Sequence, residues 1–309
     1  MKDKLPILII AYNRPKSFLK ILNAITPDIC SRIYISIDGP KNLKDKEAVK
    51  KIEMYLKART NLEIELKKSE QNQGCNVGVV SAIDWFFSNE KEGIILEDDC
   101  LPSKEYFEFV CKYRNILKSN SHIGMISGQM PFVSAKKTGK EFFITSYPMI
   151  HGWYTSASKW KLIRKNLYNT SRTNMRKSDS SLTINIARSN YWHALRLRVK
   201  YGGVDTWDCF VVNQFYLLNL KCITPPIEMV ENIGNDNNGS HKVNLNLNIY
   251  REIDLGKYEL DKYLEEQFYK IRILRVFTPY VKVILDMIMD ISKASKQRKK
   301  FVRNQKHYL

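Results

Sequence analysis

The chain opens on a short apolar run, Pro6 to Ala11 (PILIIA), closed by Asn13 and Pro15. A run this short, with no polar alternation, suits a strand buried on both faces better than a helix. A helix is predicted from about Lys16 to Ile25. A second strand, Ile33 to Asp38 (IYISID), is stopped by Gly39 and Pro40; a charged amphipathic helix follows through Lys57, then a third strand in LEIELKK. After the polar stretch QNQGCN, Val77 to Phe87 has a helical period, and Gly93 to Leu96 (GIIL) reads as another buried strand running straight into Glu97, Asp98 and Asp99. This alternation implies right-handed crossovers, and so a mostly parallel α/β sheet with helices on both faces. In open sheets of this kind ligands gather beyond the carboxyl ends of the strands, so Asn13, Asp38 and the acidic trio are expected to open onto one crevice.

Further on, the pattern predicts a helix from Ser103 to Leu117 and strands in HIGMISG and in Phe142 to Tyr147. Trp160 through Leu197 is predicted mainly helical around a serine-rich loop, Asn169 to Ser181, and Asn232 to Gly239, rich in asparagine and glycine, reads as a further loop. No internal repeat is visible. From Lys257 the pattern is helical, first charged, then apolar with interleaved cations, then purely basic, which divides the chain into a main domain, 1–256, and a helical extension, 257–309.

Charge changes the picture of partners. Fifty Lys and Arg against 32 Asp and Glu give +18 over 309 residues, which favours anionic partners. Part of the excess is a tail, Lys293, Lys296, Arg298, Lys299, Lys300, Arg303 and Lys306, with no acid among them. A basic amphipathic helix there either lies on an anionic membrane surface or packs on the protein with a solvated tail. No nucleic-acid-binding motif accompanies the charge, so nucleic acid is not an expected partner. The six cysteines form no CxxC pair and are expected as reduced thiols. The N-terminus lacks a signal-peptide core, and charges interrupt Ile271 to Ile291, so a cytoplasmic protein, soluble or peripheral on the inner face of a membrane, is expected.

The chemistry centres on the acidic trio. Adjacent carboxylates at the end of a buried strand resist ionising together unless a positive charge sits with them. Mg²⁺ or Mn²⁺ would relieve them, prefers oxygen ligands and bridges carboxylates to a diphosphate. The plain alternative is a solvated acidic turn, but the abrupt setting between GIIL and CLPS favours the functional reading.

Taken together and in order, PILIIAYNRP, YISIDGP, QNQGCNVGV, GIILEDDCLPS and HGWYTSASKW resemble bacterial GT-A (Rossmann-like) glycosyltransferases of the family-2-like HlpA group, over roughly Pro6 to His241. That group is distantly similar to the eukaryotic N-acetylglucosaminyltransferase I, an inverting, manganese-dependent enzyme that also carries an EDD motif. The resemblance implies an inverting glycosyltransferase that moves a sugar from a nucleotide-sugar, with uridine diphosphate as the expected carrier, to a glycan or lipid-linked glycan of a bacterial surface polymer. It implies that Asn13, Arg14 and Asp38 hold base and ribose, that Gly74 and Asn76 approach the nucleotide, and that Glu97 and Asp98 contact the ribose and the sugar or water around it. Asp99 would bind the metal, Trp153 would stack on a sugar, and Ser240 and His241 would contact diphosphate or metal from a closing loop. GGVDTWDCFVV matches the region of the catalytic aspartate, but Cys209 stands where the relative has a second aspartate. Asp208 and Asp205 therefore both remain candidates for general base.

Plainer roles stand beside several of these: turn chemistry for Asn13 and Asp38, helix capping for Asn76, Asp205 and Asp208, core packing for Trp153. The rival functions are a nucleotidyltransferase, against which AYNRPKS lacks a glycine-rich, lysine-bearing loop, and a non-catalytic basic protein that binds nucleic acid or membrane.

Overall fold

The computed structural model describes residues 4–59, 62–130, 141–168 and 182–234. It opens as β1 (Leu5–Ala11), α1 (Pro15–Ala24), β2 (Cys30–Ile37), α2 (Leu43–Lys57) and β3 (Ile64–Lys68). Next come α3 (Gly74–Asn89), β4 (Glu92–Glu97), β5 (Cys100–Pro102), α4 (Lys104–Ser119), β6 (Ile123–Ser127) and β7 (Phe143–Thr145). The described part continues through β8 (Trp153–Ser156), α5 (Ala157–Arg164), α6 (Leu182–Lys200), α7 (Asp208–Leu217), β9 (Lys221–Thr224) and β10 (Val230–Asn232). Helix starts follow local chemistry: Pro15 occupies the first turn of α1, where its missing N–H costs nothing, and Asn42 caps α2 by accepting from the backbone N–H of Asp45 at 3.0 Å.

Eight strands form one mixed sheet in the order β3-β2-β1-β4-β8-β6-β9-β7. The first four are parallel; β8 runs antiparallel between β4 and β6. Alternation along the strands sorts side chains to two cores. Ile7, Ile9, Ile33, Ile35, Ile94 and Leu96 face α1, α2 and α4, while Leu8, Tyr34 and Ile95 face the aromatic layer of α3, α5, α6 and α7. Helices thus cover both faces, and the fold is the mixed, mostly parallel α/β arrangement of the GT-A or Rossmann-like type. Ile7, Leu8 and Ile9 are wholly buried. Each contributes about 1.5–3 kcal/mol relative to exposure, and together they account for the unbroken apolar signature of β1.

The topology fixes where a site can form. From β1 the chain steps outward through β2 to β3, then returns to place β4 on the other side of β1. The β1/β4 boundary is therefore a switch point, with the carboxyl ends of both strands on one edge. A small second sheet, β5 with β10, pairs Asn232 with Cys100 and lays the end of β10 over the acidic turn.

All six cysteines are free. Among the described residues no helix is long and apolar enough to cross a membrane. Ser240, His241, the serine-rich segment and the extension 257–309 lie outside the described residues.

Candidate functional site

The acidic trio sits at the switch point, with β1 directly beside it. Tyr12 donates its backbone N–H to Asp98 at 2.9 Å, and one guanidinium nitrogen of Arg14 donates to both Asp98 and Asp99 at 2.8 Å. Asp98 and Arg14 are largely buried, so this pair is scarcely screened by solvent. Beside the nucleotide role that the resemblance implies for it, Arg14 has Asp98 and Asp99 as direct partners, because buried carboxylates need a cation and the turn after β1 brings this one within reach.

Arg14 alone does not balance the crevice. Burial, followed by the charges of Asp99, Asp98 and Asp208, pushes the Glu97 carboxyl up to about 8, with Arg14 acting against them. Burial likewise pushes Asp98 up to about 6, against Arg14 and the Tyr12 N–H. Cys75 lies among Glu97, Asp205, Asp208 and Asp99, and burial together with those charges raises its thiol. The strand-end acids and both candidate bases therefore share one region, although more than a hundred residues separate them in sequence.

The N-terminus of α3 forms the next wall. Its first N–H groups lack intrahelical partners, and two remote carboxylates satisfy them. Asp38 accepts from Gln73 at 2.8 Å and Gly74 at 3.0 Å; Asp205 accepts from Cys75 and Asn76, both at 3.0 Å. Asp38 also holds Gly39 N–H and the Asn72 amide. Gly74 has φ +81, and a Cβ there would meet an Asp205 carboxylate oxygen at 2.3 Å, so glycine alone fits this close approach. Asn76 does not cap the helix as one sequence reading had it: it lies in the first turn, buried, and its side-chain oxygen has no hydrogen-bond partner among the described residues.

Asp208 is the first residue of α7 and Trp207 is the cap, so Asp208 is not the N-cap that one sequence reading allowed. Its Oδ1 accepts from the Thr206 hydroxyl at 2.6 Å and from Cys209 N–H at 2.7 Å; among the described residues its Oδ2 accepts no hydrogen bond. Asn13 donates to Asp45 at 2.8 Å, alongside the Tyr12 hydroxyl at 2.6 Å. Asp45 was not singled out from sequence. The Asn42-x-x-Asp45 capping spacing was its one local signal, and its long-range bonds to β1 had none.

Trp153 is 1% exposed, stacked on Trp207 at 6.2 Å and tilted against Trp160 at 6.3 Å, which is the core packing that stood beside the sugar contact in the sequence. On β8, alternation turns Trp153 into the aromatic layer. The residues just after β10 close over Asp99: Ile233 N–H donates to the Asp99 carbonyl at 2.8 Å, and a Cβ on Gly234 would lie 2.6 Å from Oδ2 of Asp99. Among the described residues no three His, Cys, Asp or Glu side chains come together as a ready metal-holding group.

No protein-family model matches the chain, and no curated protein is similar to it in sequence at a significant level. Among solved structures, it is similar to the mannosyltransferase PcManGT from Pyrobaculum calidifontis, in complex with GDP-Man and Mn²⁺. The TM-score is 0.45 at 10% identity, covering 99% of this chain and 75% of that one. HddC from Yersinia pseudotuberculosis gives a TM-score of 0.31 at 9% identity, over 50% of this chain and 77% of its own. A 4-diphosphocytidyl-2C-methyl-D-erythritol synthase from Anaerococcus prevotii gives 0.33 at 14% identity, over 57% and 79%. None of these likenesses bears on the role of a residue.

Proposed function

We propose that the chain is a metal-dependent inverting glycosyltransferase that moves a sugar from a nucleoside diphosphate, uridine diphosphate being the expected carrier, to a glycan or lipid-linked glycan acceptor. The observation that carries this reading is the convergence of Glu97, Asp98, Asp99 and Asp208 at the β1/β4 switch point, with Arg14 bonded to Asp98 and Asp99. A crevice with that excess of hard carboxylate oxygen suits a divalent cation together with a ligand's phosphates.

The donor set fits Mg²⁺ or Mn²⁺ of the kind held by one or two carboxylates plus substrate phosphate and water, which needs no complete protein cage. Asp99 would hold the ion. Its Oδ2 is engaged by Arg14, while among the described residues its Oδ1 has only a 3.5 Å contact from the Cys100 thiol. His241, outside the described residues, is the second ligand that the family resemblance suggests. The ion, when bound, would neutralise charge on the departing diphosphate.

The chain's own residues do the rest. Asp208, with Oδ2 open, takes the proton from the acceptor hydroxyl as that oxygen attacks the anomeric carbon; the bond to the diphosphate oxygen breaks with its electron pair, and the configuration inverts. Asp205 has both oxygens on the N-terminus of α3, which favours Asp208 over Asp205 as base and gives Asp205 a positioning role. Asp38, Asn13 and the spare side-chain oxygen of Asn76 border the proposed nucleotide pocket, with Glu97 and Asp98 toward the ribose and sugar. Ser240 would meet the diphosphate, and the basic tail would rest on an anionic membrane.

Incubation with a panel of nucleotide-sugars and Mn²⁺, read by nucleoside diphosphate release and by the anomeric configuration of the product, tests this reading. One donor is expected to turn over with inversion, and Asp208→Asn to suppress it. Turnover with retention, or no hydrolysis or transfer with any donor, would overturn it.

A further inference from the structure

The two most exposed large apolar side chains among the described residues are Leu43, 80% exposed, and Met54, 67%. Both lie on α2. They are about three helical turns apart, so they share one stripe of its surface, ~16 Å from end to end. The opposite stripe, Val49, Ile52 and Leu56, is buried against the sheet. Single exposed apolar residues are ordinary, but two on one stripe with a cationic border are not. Helical spacing puts Lys46, Lys50 and Lys57 on one side of Leu43 and Met54 and Lys51 on the other, all exposed, with Glu47 the exposed acid of this face.

We infer that this face of α2 docks on an anionic lipid surface, with Leu43 and Met54 entering the headgroup layer and the lysines bound to lipid phosphates. Charge complementarity names the occupant's sign, and the apolar centre distinguishes a bilayer from a purely polyanionic partner such as RNA, which would meet lysines without a greasy stripe. The position of the face adds a consequence. The first turn of α2 carries Asp45, which holds Tyr12 and Asn13 at the crevice, and Lys41 just before it lies 5.6 Å from the Tyr12 ring. Docking through Leu43 therefore brings the mouth of the crevice to the lipid surface, where a lipid-linked acceptor would be. The docking itself does not depend on the transfer reading.

Co-sedimentation of the full chain with vesicles of phosphatidylcholine, alone or mixed with phosphatidylglycerol, tests the inference without any nucleotide present. Binding is expected to the anionic vesicles only, and to weaken with salt. Replacing Lys46, Lys50 and Lys57 by Gln should each cost about fivefold, and Leu43→Ser with Met54→Ser about tenfold together. Glu47→Gln should strengthen binding by about fivefold, a gain that misfolding cannot mimic. The basic tail is identical in every variant, so its share cancels. Absence of wild-type binding, or binding indifferent to these substitutions, would overturn the inference. So would vesicle binding that ignores Leu43 and Met54 while the lysines govern retention of a single-stranded RNA. Transfer activity on soluble substrates should be unchanged in every variant, so failure here and failure of the catalytic reading remain distinguishable.

Discussion

Single side chains decide between roles that look alike in sequence. Asp205 and Asp208 are three positions apart and both acidic, yet Asp205 has its two oxygens on backbone N–H groups of α3, whereas Asp208 keeps Oδ2 open. Asp208→Asn is therefore expected to lower kcat by about 10²- to 10⁴-fold with little change in melting temperature. Asp205→Asn should cost about 1–3 kcal/mol of stability through a weakened pair of charge-assisted bonds, measured by urea denaturation. Asp45 offers a pH test. Burial alone would raise its pKa, but the bonds from Asn13, Tyr12 and Lys41 N–H prevail and hold it below the ordinary carboxylate value. The unfolded chain then binds more protons between the folded value and about 3.9, so this stabilisation is complete above that range and is lost on acidification. Denaturation curves from neutral pH to pH ~3 should show the gap between wild type and Asp45→Asn closing as the pH falls.

At the scale of elements, α3 is held from both sides by strand-end and loop carboxylates, with Gly74 at the contact. Gly74→Ala places a methyl group at φ +81 against Asp205, and a loss of about 1–3 kcal/mol is expected, read as a lower melting temperature. The early strands and helices were legible in the sequence because their apolar runs are long enough for the period to show and because Asn13, Gly39 and Pro40 punctuate them. The gathering of Asn13, Asp38 and the acidic trio on one edge was legible too, since parallel strands put their carboxyl ends together. β8, β5, β9 and β10 were not, because runs of three or four residues carry no period. HGWYTSASKW contains β8 and the start of α5, with Trp153, Tyr154 and Trp160 buried, an arrangement no local period announced. The partners of Arg14 and Asp45 were hidden for a different reason: they are long-range contacts to which no local pattern points.

For the whole molecule, the fold brings an excess of carboxylate to a switch point in a chain that is otherwise strongly basic. A local acid excess against that background is what a dication carrying a diphosphate would neutralise, and the cationic exterior accords with anionic donors and anionic surfaces. Metal and nucleotide would then bind as a coupled pair. Titration calorimetry of uridine diphosphate into the full chain, with Mn²⁺ and then with a chelator, tests it most directly. Binding should require the metal and weaken by at least about tenfold in Asp99→Asn; equal affinity with chelator, or an Asp99→Asn variant that binds like wild type, would contradict it.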